Sequence, residues 1–235
     1  MPDFYIPLVD ATASILCIPI MFYALRESKI NIFENFSFPS FKFLFLMVLL
    51  ALSLRILSQP IIHLSRFIHS FRNGNIEYLN FLPLRFDLAF SIRFFHVVIL
   101  GPVIEEVFFR RIILHQFLKI YNAIPALLLS ALLFTIYHTT PYGLGQIFIT
   151  GLILGYVFYR TNSLIACILL HSFYNMLLYS TKVNTTFIDD SSLISSFFIF
   201  SISILVIYIF VKYINRFQNI RVDNKDKTIN FGADQ

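Results

Sequence analysis

The run Leu193–Val211 contains no charged residue, and it is one of several apolar stretches in the chain that suit a helix in lipid. Crossing roughly 30 Å of hydrocarbon at 1.5 Å per residue takes about 20 residues, and a helix satisfies its own backbone where no water can. Tyr5–Leu25, Phe41–Ile62, Phe94–Leu118, Ala123–Tyr137, Leu144–Tyr159 and Ser163–Tyr179 are the other candidates. The fold class that follows is all-α: a polytopic transmembrane helix bundle of about seven spans, roughly six to eight. Composition agrees. Hydrophobic residues make up 57% of the chain, charged residues 13%, and the mean hydropathy is +0.75, more apolar surface than a water-soluble core hides. With 12 Tyr and no Trp, an interfacial aromatic belt falls to tyrosine.

The polar breaks set the organisation. Leu64–Asp87, with Arg66, His69, Arg72, Arg85 and the turn signal Asn73-Gly74-Asn75, is too polar to cross lipid and reads as an interfacial segment between the second and third spans. Residues 1–90 are then N-terminal transmembrane helices with that segment, residues 91–182 a core, residues 183–213 the last span, and residues 214–235 a disordered tail. Tyr5–Leu25 lacks a basic leader and an A-x-A-like cleavage site and reads as a retained helix. The net charge of +5 comes from Lys and Arg scattered between apolar runs, which argues for membrane orientation and against a nucleic-acid partner. With seven spans, Arg26, Lys29, Lys42, Arg110, Arg111, Lys119, Arg160, Lys212 and Arg216 fall on one side, the cytoplasmic one, with the C-terminus. The arginines of Leu64–Asp87 fall on the other side and argue against that topology. Cys17 and Cys167 both sit in apolar runs and imply no disulfide framework.

Glu105, Glu106 and Arg110 stand in the middle of Phe94–Leu118, where charge is expensive unless it faces protein or a wet cavity. Glu106 and Arg110 are four apart, acid first, which stacks them on one helical face as an ion pair. Glu105 points about 100° away around the helix and lacks that partner, so it is left to exchange a proton with water. His138 at the end of Ala123–Tyr137, one turn after Phe134, and His171 with Asn175, four apart, bring polar groups on two further helices. Polar side chains on three spans are satisfied together only by converging. One difficulty is depth: Glu105 and His171 are near mid-span and His138 near an end closed by Pro141, an offset of roughly 10 Å. Gly151 and Gly155 form a small-xxx-small pair that lets their helix pack closely.

The series Glu105-Glu106-x-x-x-Arg110, Phe134-x-x-x-His138 and His171-x-x-x-Asn175, with the approach Gly151–Gly155 through Thr161 and Ser163, resembles the CAAX-protease and bacteriocin-processing family of intramembrane proteases. The likeness runs from about Arg93 to Tyr179. It implies an intramembrane endopeptidase in which Glu105 activates a water, His138 helps to orient it, His171 and Asn175 form an oxyanion pocket, and Glu106 and Arg110 hold the site in shape. No cofactor is favoured. Zinc is the competing reading, with Glu105, His138 and His171 as ligands and water in the fourth position, although the chain has no HExxH. The partners implied are a peptide or membrane-protein substrate and the lipid bilayer, in a bacterial plasma membrane. The alternative function is a non-proteolytic scaffold or bacteriocin self-immunity protein that keeps the fold.

Overall fold

Apolar runs between polar breaks become helices in the computed structural model, which describes residues 18–19, 21, 23, 25–27, 39–73, 88–138, 144–180, 193–216, 220–223 and 228–231. Helix α1 is Phe41–Asn73. A composite helix follows: α2 (Leu88–Phe95), a π-helical turn (His96–Leu100), α3 (Gly101–Glu106), a second π-helical segment (Val107–Leu114) and α4 (His115–Ile120). Then come α5 (Ala123–Tyr137), α6 (Leu144–Thr161), α7 (Leu164–Ser180) and α8 (Leu193–Ile214). The all-α expectation holds for the body of the protein.

Two boundaries differ from the sequence reading. Helix α1 does not stop near Ile62 but runs on to Asn73, ending at the Asn73-Gly74 turn signal; the rest of the expected interfacial segment, residues 74–87, lies outside the described residues. The tail, read as disordered, instead carries an antiparallel hairpin of β1 (Ile220–Asp223) and β2 (Thr228–Phe231). In its register Ile220 lies opposite Phe231 and Val222 opposite Ile229, so the apolar positions of the two strands pair with each other. Most of Tyr5–Leu25 is outside the described residues, but Met21 and Leu25 are buried against Val107 and Leu164.

The core forms where α1 crosses the bundle. Phe43, Met47, Leu50, Ala51 and Leu54 make one apolar stripe of α1 at helical spacing. They pack with Leu154, Val157 and Phe158 of α6, with Ala166, Cys167, Leu170 and Tyr174 of α7, and with Phe210 and Ile214 of α8. Cys167 is buried and donates to the Leu154 carbonyl at 3.5 Å; Cys17 lies outside the described residues.

The outer faces are apolar too. On α5, Ile124, Leu128, Leu132, Leu133 and Ile136 are exposed, and on α8 so are Phe198, Ile202, Leu205, Tyr208 and Ile209. A patch of that extent in water would be a liability; against acyl chains it is solvated. Among the described residues one helix passes a length-and-hydropathy test for crossing a membrane, through Phe41–Ser58, and Ala123–Tyr137, Leu164–Leu178 and Phe198–Ile214 are shorter apolar helices.

Candidate active site

The cluster is built on α3. Glu106 is fully buried and Arg110, one turn on, is fully buried beside it: Arg110 Nε donates to Glu106 Oε2 at 2.9 Å and a terminal nitrogen to Oε1 at 3.5 Å. The same Oε1 lies 2.9 Å from His171 Nδ1, so one carboxylate ties α3 to α7. Both are consistent with an ionised Glu106, and an acceptor at that position fixes a hydrogen on His171 Nδ1.

Glu105 faces the other way around the helix. Its Oε2 lies 3.6 Å from His138 Nε2 and 3.8 Å from His171 Nε2, and among the described residues it makes no hydrogen bond. These gaps are too long for direct hydrogen bonds, and a water at roughly 2.8 Å from both atoms would sit to one side of the line that joins them. His138 Nδ1 sits 2.8 Å from the Phe134 carbonyl, which can only accept, so this ring also carries hydrogen on Nδ1. In its singly protonated form each imidazole then turns a bare Nε2 toward Glu105. The anticipated depth offset does not keep His138 away. It occupies the C-cap of α5, with φ −74° and ψ −12°, and reaches Glu105 from there.

Phe134 binds the cluster from below. Its ring centroid is 4.5 Å from that of His138, 5.8 Å from His171 and 5.1 Å from Phe109, and the Arg110 guanidinium carbon lies 4.9 Å from its centre. Such a cation over a ring face is attracted by the ring quadrupole. Gly151 of α6 leaves the room this needs: a Cβ there would stand 3.2 Å from Phe134 Cδ1 and 3.3 Å from the Ala131 Cα. Gly155, its small-xxx-small partner, faces Leu127 and Leu114.

Resemblance gives Asn175 an oxyanion role; the contact it makes here is to a backbone carbonyl. Its Nδ2 donates at 2.9 Å to the Val97 carbonyl, in the first π-helical turn. Gly101 also went unnoticed in the sequence, although Glu105 folds back over it: a Cβ at Gly101 would meet Glu105 Oε1 at 3.6 Å and the His96 carbonyl oxygen at 3.0 Å. The signal was the Gly101-Pro102 pair one turn before the acids, which a helical reading passes over. As for metal, no group of three or more His, Cys, Asp or Glu side chains among the described residues is placed to hold an ion.

Residues 87–177 match the family model described as type II CAAX prenyl endopeptidase Rce1-like, a span that holds Glu105, Glu106, Arg110, His138, His171 and Asn175. Comparison with curated proteins and with solved structures finds no match. The residues that build the cluster thus all lie within the stretch that matches this family model, and that family is one of membrane proteases.

Proposed function

We propose that the protein is an intramembrane endopeptidase that hydrolyses a peptide bond with a water activated by Glu105. The observation that carries this reading is the position of Glu105 Oε2, without a hydrogen bond of its own, opposite the Nε2 atoms of His138 and His171. A water held beside Glu105 Oε2 and His138 Nε2 gives one hydrogen to each. As its oxygen attacks the peptide carbonyl carbon, Glu105 takes one proton and later returns it to the leaving nitrogen. His171 Nε2 then faces the developing oxyanion. It donates there only when the ring carries both protons, and such a ring balances the two carboxylates against Arg110 and itself. Glu106 and Arg110 act on this chemistry through His171, as the ion pair that holds the ring.

The chain is read as spanning the membrane several times, about seven by its apolar runs, with the site enclosed among α3, α5 and α7. The family description supports a substrate of the prenylated CAAX type, and the exposed apolar faces of α5 and α8 also suit a peptide or a membrane-protein segment. Quantitative proteomics of membranes carrying the wild type or Glu105→Ala, at matched protein levels, tests the reading. A cleaved species that disappears in the variant supports it; an unchanged peptide profile overturns it and leaves the scaffold or immunity reading.

One observation favours a second reading. Metal-bound histidines usually hand their other ring N–H to a carboxylate or carbonyl, and His171 with Glu106 and His138 with the Phe134 carbonyl both do so. Glu105, His138 and His171 are chemically a zinc set, and cleavage after exhaustive chelation, with zinc then restored, separates this reading from the first.

A further inference from the structure

The Val97 carbonyl has lost its place in the backbone ladder. In an α-helix it would accept from the Gly101 N–H, but that N–H is given to His96 O, five residues back. In the π pattern its donor would be residue 102, which is proline and has no N–H. A carbonyl stranded inside a membrane protein must find another donor or bear the full desolvation penalty. The Asn175 amide is that donor, at 2.9 Å. The arrangement has a parallel in the second π-helical segment, where the Phe109 carbonyl accepts from Ser130 of α5 at 3.2 Å.

The π turn sits one helical turn before Glu105, and each extra residue in a turn rotates everything after it by about 100°. Gly101, whose amide closes the π turn, is also the residue against which the Glu105 side chain folds. We propose that Asn175 is a positioning residue for Glu105: its amide replaces the N–H that Pro102 cannot supply to Val97 and so fixes the π turn that aims the carboxylate at His138 and His171. The proposal rests on the reading of Glu105 as the base, and differs from an oxyanion role for Asn175 in what Pro102 does to it.

The test is a cycle of Asn175→Ala, Pro102→Ala and the double variant, each purified as the full chain in detergent. Melting temperature is one readout; cleavage of a quenched fluorogenic peptide ending in a prenylated CAAX sequence is the other. Asn175→Ala alone is expected to lower the melting temperature by about 2–6 °C and cleavage by roughly 100-fold. In the Pro102→Ala background a backbone N–H is restored to the Val97 carbonyl, and Asn175→Ala then shifts the melting temperature by less than about 1 °C. If Asn175→Ala alone fails to accumulate in membranes, the double variant must accumulate. Equal melting losses in both backgrounds overturn the proposal, as does a roughly 100-fold activity loss with no melting shift, the signature of an oxyanion donor. A wild type that leaves this peptide uncut while the melting coupling persists removes the prenylated CAAX substrate and leaves the Asn175 contact standing, with the membrane proteomics deciding the peptidase reading.

Discussion

Replacing Glu106 by Gln keeps the shape of the side chain and removes its charge, and the structure makes the consequence large. Glu106 and Arg110 are both 0% exposed, and the carboxylate takes Arg110 Nε at 2.9 Å and a terminal nitrogen at 3.5 Å. The remaining Arg110 nitrogen has no hydrogen-bond partner among the described residues, so without the carboxylate the guanidinium keeps little besides the face of Phe134. Breaking one side of a buried pair costs about 3–5 kcal/mol. At roughly 2–4 °C per kcal/mol for a chain of this size, Glu106→Gln lowers the melting temperature by about 6–20 °C. Glu105→Gln is the matched control. That side chain is 18% exposed and meets no hydrogen-bond donor among the described residues, only the 3.6 and 3.8 Å approaches of two imidazoles. An amide there changes stability by less than about 1 kcal/mol or raises it, while peptide hydrolysis is lost. Thermal unfolding of the three purified proteins in one detergent, with cleavage measured beside it, reads both quantities. Equal melting losses for the two substitutions would refute the division of labour between the two acids.

Gly151→Ala brings a Cβ to 3.3 Å from the backbone of Ala131 and 3.2 Å from Phe134, so α5 and α6 must separate. The expected loss is about 1–3 kcal/mol with reduced cleavage, against less than about 1 kcal/mol for Gly155→Ala, whose Cβ meets the flexible ends of Leu127 and Leu114. Phe134→Ala removes the ring that touches both imidazoles and Arg110 and should lower stability by about 3–5 kcal/mol, read by thermal unfolding, with cleavage falling as well. Exhaustive chelation is expected to leave cleavage unchanged; a loss that added zinc restores would turn Glu105, His138 and His171 into metal ligands.

The helices were legible wherever a long apolar run had polar ends. Ala123–Tyr137 is the same in sequence and structure, and Leu144, Leu193 and the neighbourhood of Ser163 each begin a helix where the apolar run begins. Glu106 and Arg110 could be paired from spacing because a helix sets which residues share a face, and lipid leaves charged groups few other partners. What spacing could not supply was the pairing between helices. That His171 takes Glu106 through Nδ1 while its Nε2 turns to Glu105 depends on ring orientation, and that His138 lies level with Glu105 depends on the relative depth of two helices. The π-helical turns were equally invisible, since Phe94–Leu118 is apolar at most positions and offers little periodicity for a bulge to shift. It is the bulge that makes sense of Asn175: in an unbroken α-helix Val97 would need no side-chain donor. In the tail, charged residues concealed a short alternation that only the register of two strands reveals.

The gap around Glu105 can be weighed against the bland alternative of a structural ion cluster. A carboxylate and two imidazoles free to turn would bring an N–H of each ring to hydrogen-bonding distance of the acid, because each such contact made in a low-dielectric interior is stronger than in water. Here they stop at 3.6 and 3.8 Å. Each ring is pinned from behind, His138 by the Phe134 carbonyl and His171 by Glu106, while Phe134 itself is packed against Phe109 and Arg110. Glu105 is set on its side by Gly101 and the turn that Asn175 secures. The separation is thus imposed by contacts outside it, and it leaves Glu105 Oε2 unpaired and open to a water held beside the two rings. Groups preorganised in this way can stabilise a transition state without first rearranging, whereas a purely structural cluster gains nothing from leaving its acid unpaired.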